Sequence, residues 1–147
     1  MKNRAIKHSD NWETPSYIYD PLNDEFNFNH DPCPIHYGDI TPDKDGLLQS
    51  WGSRSFVNPP YSRKLKEAFV ARGVAYMEEG FLSVFLLPVS TSTQLFHKVI
   101  QPNASEIRFI EKRVRFIGHN ALGMKVSGKT GMHDSMIVVF DGRRDSV

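Results

Sequence analysis

The apolar positions of the chain follow two different periods. Phe81-Leu82-Ser83-Val84-Phe85-Leu86-Leu87 is a near-continuous apolar run, as expected of a strand buried on both faces of a parallel sheet, and Pro88 ends it. Arg54 to Val57 predicts another strand, which stops at Pro59-Pro60. Between these two strands, Arg63 to Glu79 spaces Leu65, Ala68, Phe69, Arg72 and Tyr76 by threes and fours. That spacing predicts an amphipathic helix closed by Gly80. Ser92 to Gln101, with Leu95, Phe96, Val99 and Ile100, predicts a further helix ended by Pro102-Asn103. Closer to the N-terminus, Thr14-Pro15 reads as a helix entry, Thr14 as the N-cap and Pro15 at the first helical position, leading into Ser16 to Asn23. Phe26 to Asp31 alternates aromatic and polar residues and predicts a half-buried strand that Pro32-Cys33-Pro34 stops. Glu106 to Ile110, Val114 to Ile117 and Met136 to Phe140 are strand-like, with a glycine-containing flexible loop expected over Gly118 to Met132.

Alternating strands and helices in the middle of the chain predict right-handed βαβ crossovers. The expected architecture is an α/β three-layer sandwich with a mostly parallel sheet and an antiparallel hairpin at one edge. A length of 147 residues suits a single domain, taken as residues 12–147 behind a loosely held arm at 1–11. In such sheets ligands bind outside the carboxyl ends of the strands, and Asp31, Asn58 and Pro88 all fall at those ends.

Composition changes this picture only locally. No apolar run approaches the roughly 18 residues of a membrane span, and Met1 to Asp10 lacks the apolar core of a secretory leader. The single cysteine, Cys33, fits a reducing, cytoplasmic setting. Net charge is +1, but Arg108, Lys112, Arg113, Arg115, Lys125 and Lys129 face Glu111 alone between positions 108 and 129. A local basic patch of this kind suits nucleic-acid phosphates, and equally a solvated surface. The six histidines show no metal-ligand spacing, so no metal is expected, and Cys33 between two prolines has no evident base partner.

The oddest stretch is Asn58-Pro59-Pro60-Tyr61-Ser62. Two prolines fix two φ angles and remove two donors, and the first pushes Asn58 towards an extended conformation. The corner presents an amide, a proline carbonyl and a phenol ring to one spot. A plain Pro-Pro turn capped by Asn is the rival reading.

Asn-Pro-Pro-Tyr after a strand resembles the catalytic motif of amino-group DNA methyltransferases. The wider order, Trp12-x-Thr14-Pro15, Asp31-Pro32-Cys33, Asp45-Gly46-Leu47, Trp51-Gly52, Asn58 to Ser62, Leu86-Leu87-Pro88 and Ile107 to Phe116, is similar to the small phage-encoded DNA N6-adenine methyltransferase family. The resemblance spans residues 12 to 140. It implies a trimmed Rossmann-like sheet, S-adenosyl-L-methionine as donor and a flipped adenine in double-stranded DNA as acceptor. It implies Asn58, Pro59, Pro60 and Tyr61 as the catalytic corner, and Thr14, Pro15, Asp31, Pro32, Cys33, Asp45 and Leu47 along the cofactor. Ser62, Lys112, Arg113, Arg115, Lys125 and Lys129 would meet the DNA. Thr14 also suits a helix cap, Asp31 a turn cap and Asp45 an Asp-Gly turn. Larger methyltransferases hold the ribose with an acid after the second strand; only Asp39 or Asp43 could stand in for it here.

The chemistry agrees with that corner. An exocyclic adenine amine is a poor nucleophile because its lone pair is delocalised into the ring, and two acceptors on its two N–H groups would make it more sp³-like. Asn58 Oδ1 and a proline carbonyl are such acceptors. Tyr61 offers a face for a flipped base. Cytosine N4 or an RNA adenine would enter the same corner, and a catalytically silent nucleic-acid-binding module is the alternative from another class. The little room left for target recognition predicts a short or relaxed site.

Overall fold

The chain is built outward from β3 (Leu82–Pro88), every residue of which is buried. In the computed structural model, described for residues 12–34, 45–119, 125–130 and 133–144 (backbone alone for 119 and 125–130), β3 pairs in parallel with β2 (Arg54–Val57), Phe56 standing opposite Val84. On its other side it pairs antiparallel with β7 (Ser135–Asp141), Val84 opposite Val139, and β4 (Glu106–Phe109) lies antiparallel to β7. The order is β2-β3-β7-β4. A second sheet, entirely antiparallel, has β5 (Arg115–His119) between β1 (Trp12–Glu13) and β6 (Lys125–Thr130).

The main sheet is therefore mixed, which corrects the mostly parallel expectation. β2, β3 and β4 point the same way, but β7 is inserted between β3 and β4 and runs against both. Its physical ground is visible in Ser135–Asp141, which is buried along nearly its whole length and so belongs inside a sheet rather than at its edge. The basic hairpin β5–β6 lies in the second sheet, and Lys125–Thr130, expected as loop, is a strand.

Strand alternation divides the interior in two. Leu82, Val84 and Leu86 of β3 with Ile137 and Val139 of β7 pack against Leu22 and Phe26 of α1 (Ser16–Phe26), and against Val114 and Phe116. Phe85 and Leu87 with Met136, Val138 and Phe140 pack against Phe69 and Val70 of α2 (Arg63–Glu78), and against Trp51, Phe96 and Ile100. Phe69, Phe85 and Phe140 are fully buried, each contributing about 1.5–3 kcal/mol of transfer free energy.

Three local expectations change. Helix α1 continues to Phe26 because Tyr19, Leu22 and Phe26 prolong its apolar face, and Asn27, left-handed at φ 53°, ends it. The strand expected over Phe26 to Asp31 shrinks to one parallel bridge, His30 to Ser55. The helix expected from Ser92 begins later. Thr93 Oγ1 accepts the Phe96 N–H, and the chain then forms a π-helical turn, Phe96–Ile100, running into α3 (Gln101–Asn103). The helix does end at Pro102-Asn103, with Ala104 already extended; the proline ring cannot sit over the Lys98 carbonyl, and the preceding turn widens. The 1–11 arm and Asp39 and Asp43 lie outside the described residues.

Candidate active site

The Asn-Pro-Pro-Tyr corner leaves β2 at Val57 and enters α2 through Ser62, whose carbonyl accepts the Lys66 N–H at 2.9 Å. Pro59 and Pro60 are buried, and Asn58 is half-buried. The Asn58 side chain is fixed in one sense: Nδ2 donates to the Trp12 carbonyl and to Thr14 Oγ1, each at 3.1 Å. A main-chain carbonyl can only accept, so the nitrogen must face it. Both amide hydrogens are thereby used, and what the side chain has left to offer is the acceptor Oδ1.

Tyr61 is held at two points. Its hydroxyl donates to the Leu86 carbonyl of β3 at 3.2 Å, and its ring meets Phe116 of β5 edge to face, centroids 6.1 Å apart. Burial pushes its phenol well above the ordinary range, so it stays neutral throughout physiological pH.

The acidic segments converge on the neighbouring strand end. The Phe56 N–H donates to the His30 carbonyl at 3.0 Å, which ties His30, and Asp31 directly after it, to β2. Asp31 Oδ1 accepts the Cys33 N–H at 2.8 Å. Its side chain is exposed, and desolvation by the protein beside it pushes its carboxyl up to about 6. Asp45 is buried, and its Oδ1 accepts the Leu47 N–H at 2.9 Å. Both acids thus do cap turns. The two turns touch: a Cβ on Gly46 would collide with the Pro32 carbonyl, so only glycine lets them approach. Trp51 Nε1 donates to the Gly46 carbonyl at 2.8 Å, and Arg72 Nη1 to the Leu47 carbonyl at 2.9 Å.

Thr14 is not the cap of α1. Pro15 occupies that position without a side-chain bond, and the Thr14 hydroxyl serves Asn58 instead. Pro15 itself is buried, and its carbonyl accepts the Ile18 and Tyr19 N–H groups.

The residues expected to meet DNA lie to one side of this corner. β5 runs past it, since Phe116 touches Tyr61 and β1 joins β5 with Trp12 opposite Gly118. Arg115 is exposed at the start of β5, its N–H donating to the Tyr17 hydroxyl at 3.1 Å. Lys112 is exposed in a left-handed turn at φ 63°, and exposed Arg113 lies 3.7 Å from Asp134. Lys125 and Lys129 are on β6, in register with His119 and Phe116. Ser62 is exposed at the start of α2. Arg108, by contrast, is committed to Glu25 and Glu106 and sits over the Phe26 ring.

Sequence reasoning missed the supports: the Trp12 and Leu86 carbonyls, Phe116, and Arg72 under the Asp45 turn. A charged Arg72 on the apolar side of α2 was the available signal for the last. Among the described residues no cluster of His, Cys, Asp or Glu could hold a metal ion, and no helix is long and apolar enough to cross a membrane.

No curated protein and no solved structure matches the chain significantly. A family model does, over residues 2–146, nearly the whole length, and its description is DNA N-6-adenine-methyltransferase (Dam). With that match added to a strand-end Asn-Pro-Pro-Tyr corner and an amide turned to accept, the chain belongs to the Dam family of DNA N6-adenine methyltransferases.

Proposed function

We propose that this chain transfers a methyl group from S-adenosyl-L-methionine to the N6 amine of an adenine flipped out of double-stranded DNA. The observation that carries the reading is the orientation of Asn58, whose Nδ2 is spent on the Trp12 carbonyl and Thr14, leaving Oδ1 as an acceptor.

Asn58 Oδ1 and the Pro59 carbonyl take the two N–H groups of the amine, localise its lone pair and hold it still; Pro59 and Pro60 keep that pair of acceptors rigid. Removing a proton from the amine is easy once nitrogen carries the new methyl, so no strong base is required before transfer. Tyr61, anchored through Leu86 and Phe116, presents a ring to the base. Most of the rate gain comes from alignment.

The residues present fit the cofactor. Asp31 and Asp45 place carboxylates on two touching turns, suited to a molecule with an α-ammonium group and an adenine amine. Asp31, Pro32 and Cys33 would hold one part of it, Asp45 and Leu47 another, with Thr14 and Pro15 beside the catalytic corner. When bound, S-adenosyl-L-methionine supplies an electrophilic methyl on a sulfonium leaving group. The sheet is read as a trimmed Rossmann-like sheet, helices against both faces and the cofactor side cut back to the single His30 bridge. Arg113, Arg115, Lys112, Lys125, Lys129 and Ser62 are assigned to the DNA backbone.

Calorimetry with S-adenosyl-L-methionine and transfer of labelled methyl to DNA test the reading together. Saturable binding and transfer are expected. A wild-type protein that binds the cofactor but methylates no DNA of any sequence overturns it, and a protein that binds DNA without binding cofactor is a silent binding module.

A further inference from the structure

We infer that Thr14 is a positioning residue whose hydroxyl sets the amide of Asn58, so that its contribution to the reaction runs through Asn58 rather than through contact with the cofactor. This rests on the methyltransferase reading above and goes beyond it, because that reading places Thr14 along the cofactor.

An asparagine amide has two donors and one acceptor, and its two orientations differ little in shape. In this chain the choice is made by neighbours 44 and 46 residues away in sequence. The Trp12 carbonyl decides the sense, since turning the amide over would set Oδ1 against another carbonyl oxygen. Thr14 Oγ1 takes the second hydrogen and stops rotation about the terminal torsion, which is otherwise broad. Trp12 is held in turn by its pairing with Gly118 of β5, and Thr14 by the buried Pro15 that follows it. The expected capping role of Thr14 is not filled, so no competing use of this hydroxyl by α1 explains its geometry.

Thr14→Val removes the acceptor while keeping the shape. It is expected to lower kcat by about three- to tenfold, the loss of one hydrogen bond, with the Kd for S-adenosyl-L-methionine unchanged. Thr14→Ser restores kcat. A readout independent of turnover is the side-chain NH2 pair of Asn58 in ¹⁵N-resolved NMR of the free protein. In wild type and Thr14→Ser it should be resolved and slow to exchange with solvent; in Thr14→Val it should exchange faster. Weakened cofactor binding with kcat retained would overturn the inference in favour of direct cofactor contact. An Asn58 amide signal identical in wild type and Thr14→Val would overturn it outright. If the wild type transfers no methyl at all, the reaction assignment fails, while the NMR comparison still decides whether Thr14 holds the amide.

Discussion

Tyr61 separates the ring from its hydroxyl, and the two contributions have different sizes. The hydroxyl makes one bond, 3.2 Å to the Leu86 carbonyl, at the long end for O–H···O. Tyr61→Phe should therefore cost only about 0.5–1 kcal/mol of stability, a fall in Tm of about 2–4 °C for a domain of this size. The ring stays edge-on to Phe116, so methyl transfer should remain within about threefold of wild type. Because burial keeps the phenol neutral, the variant should also share the wild-type pH profile up to about pH 9. Tyr61→Ala is a different perturbation. It loses the aromatic pair and opens a half-buried hole, about 2 kcal/mol together, and it removes the stacking face, worth about 1–3 kcal/mol or roughly 5- to 150-fold in kcat/KM. Steady-state transfer to a duplex oligonucleotide, run beside thermal melts, reads both effects. If Tyr61→Phe is as inactive as Tyr61→Ala while still folded, the hydroxyl is the working group and the stacking argument is refuted.

Four other outcomes are expected. The Asp31 carboxyl is raised from its ordinary 3.8 to about 6 by desolvation, so ionising it disfavours the folded state as pH climbs through that window; melts should show Asp31→Asn more stable than wild type at about pH 7.5 and level with it at about pH 4. In the same window the wild-type affinity for S-adenosyl-L-methionine should fall as pH drops below about 6, a dependence that calorimetry should find absent in Asp31→Asn. Gly46→Ala forces the Asp45 turn off Pro32 and should cost about 2–3 kcal/mol, with cofactor KM rising in whatever fraction folds; an unchanged Tm would show that the turns do not depend on that contact. Arg115→Ala should weaken DNA binding and reduce its log-log salt slope by about 0.9, whereas Arg108→Ala, whose charge is spent on Glu25 and Glu106, should leave the slope alone and cost about 1 kcal/mol of stability.

Local periodicity carried most of the elements. Arg54–Val57 and the α2 helix appear where spacing put them, because one buried face repeats every two or every three to four residues. Asn27 shows where that reasoning stops. Phe26 and Phe28 alternate with asparagines as a strand would, but Phe26 completes the apolar face of α1, and a left-handed residue then turns the chain before any strand can form. The place of β7 was not legible either, since its apolar run suits any central position and its direction is decided by pairing with β3 some 50 residues earlier. At the site, the sequence marked Asn58 and Tyr61 through the rigidity of two prolines. It could not mark the Trp12 carbonyl, because any residue supplies one, and the capping preference of Thr14-Pro15 pointed to a helix end instead of to Asn58.

The most direct measurement is mass analysis of nucleosides digested from DNA incubated with the protein and S-adenosyl-L-methionine, wild type beside Asn58→Ala. The account expects N6-methyladenine from the wild type, and from Asn58→Ala none above background although the variant still binds the cofactor. Methylcytosine in place of N6-methyladenine, or equal N6-methyladenine from both proteins, would contradict it.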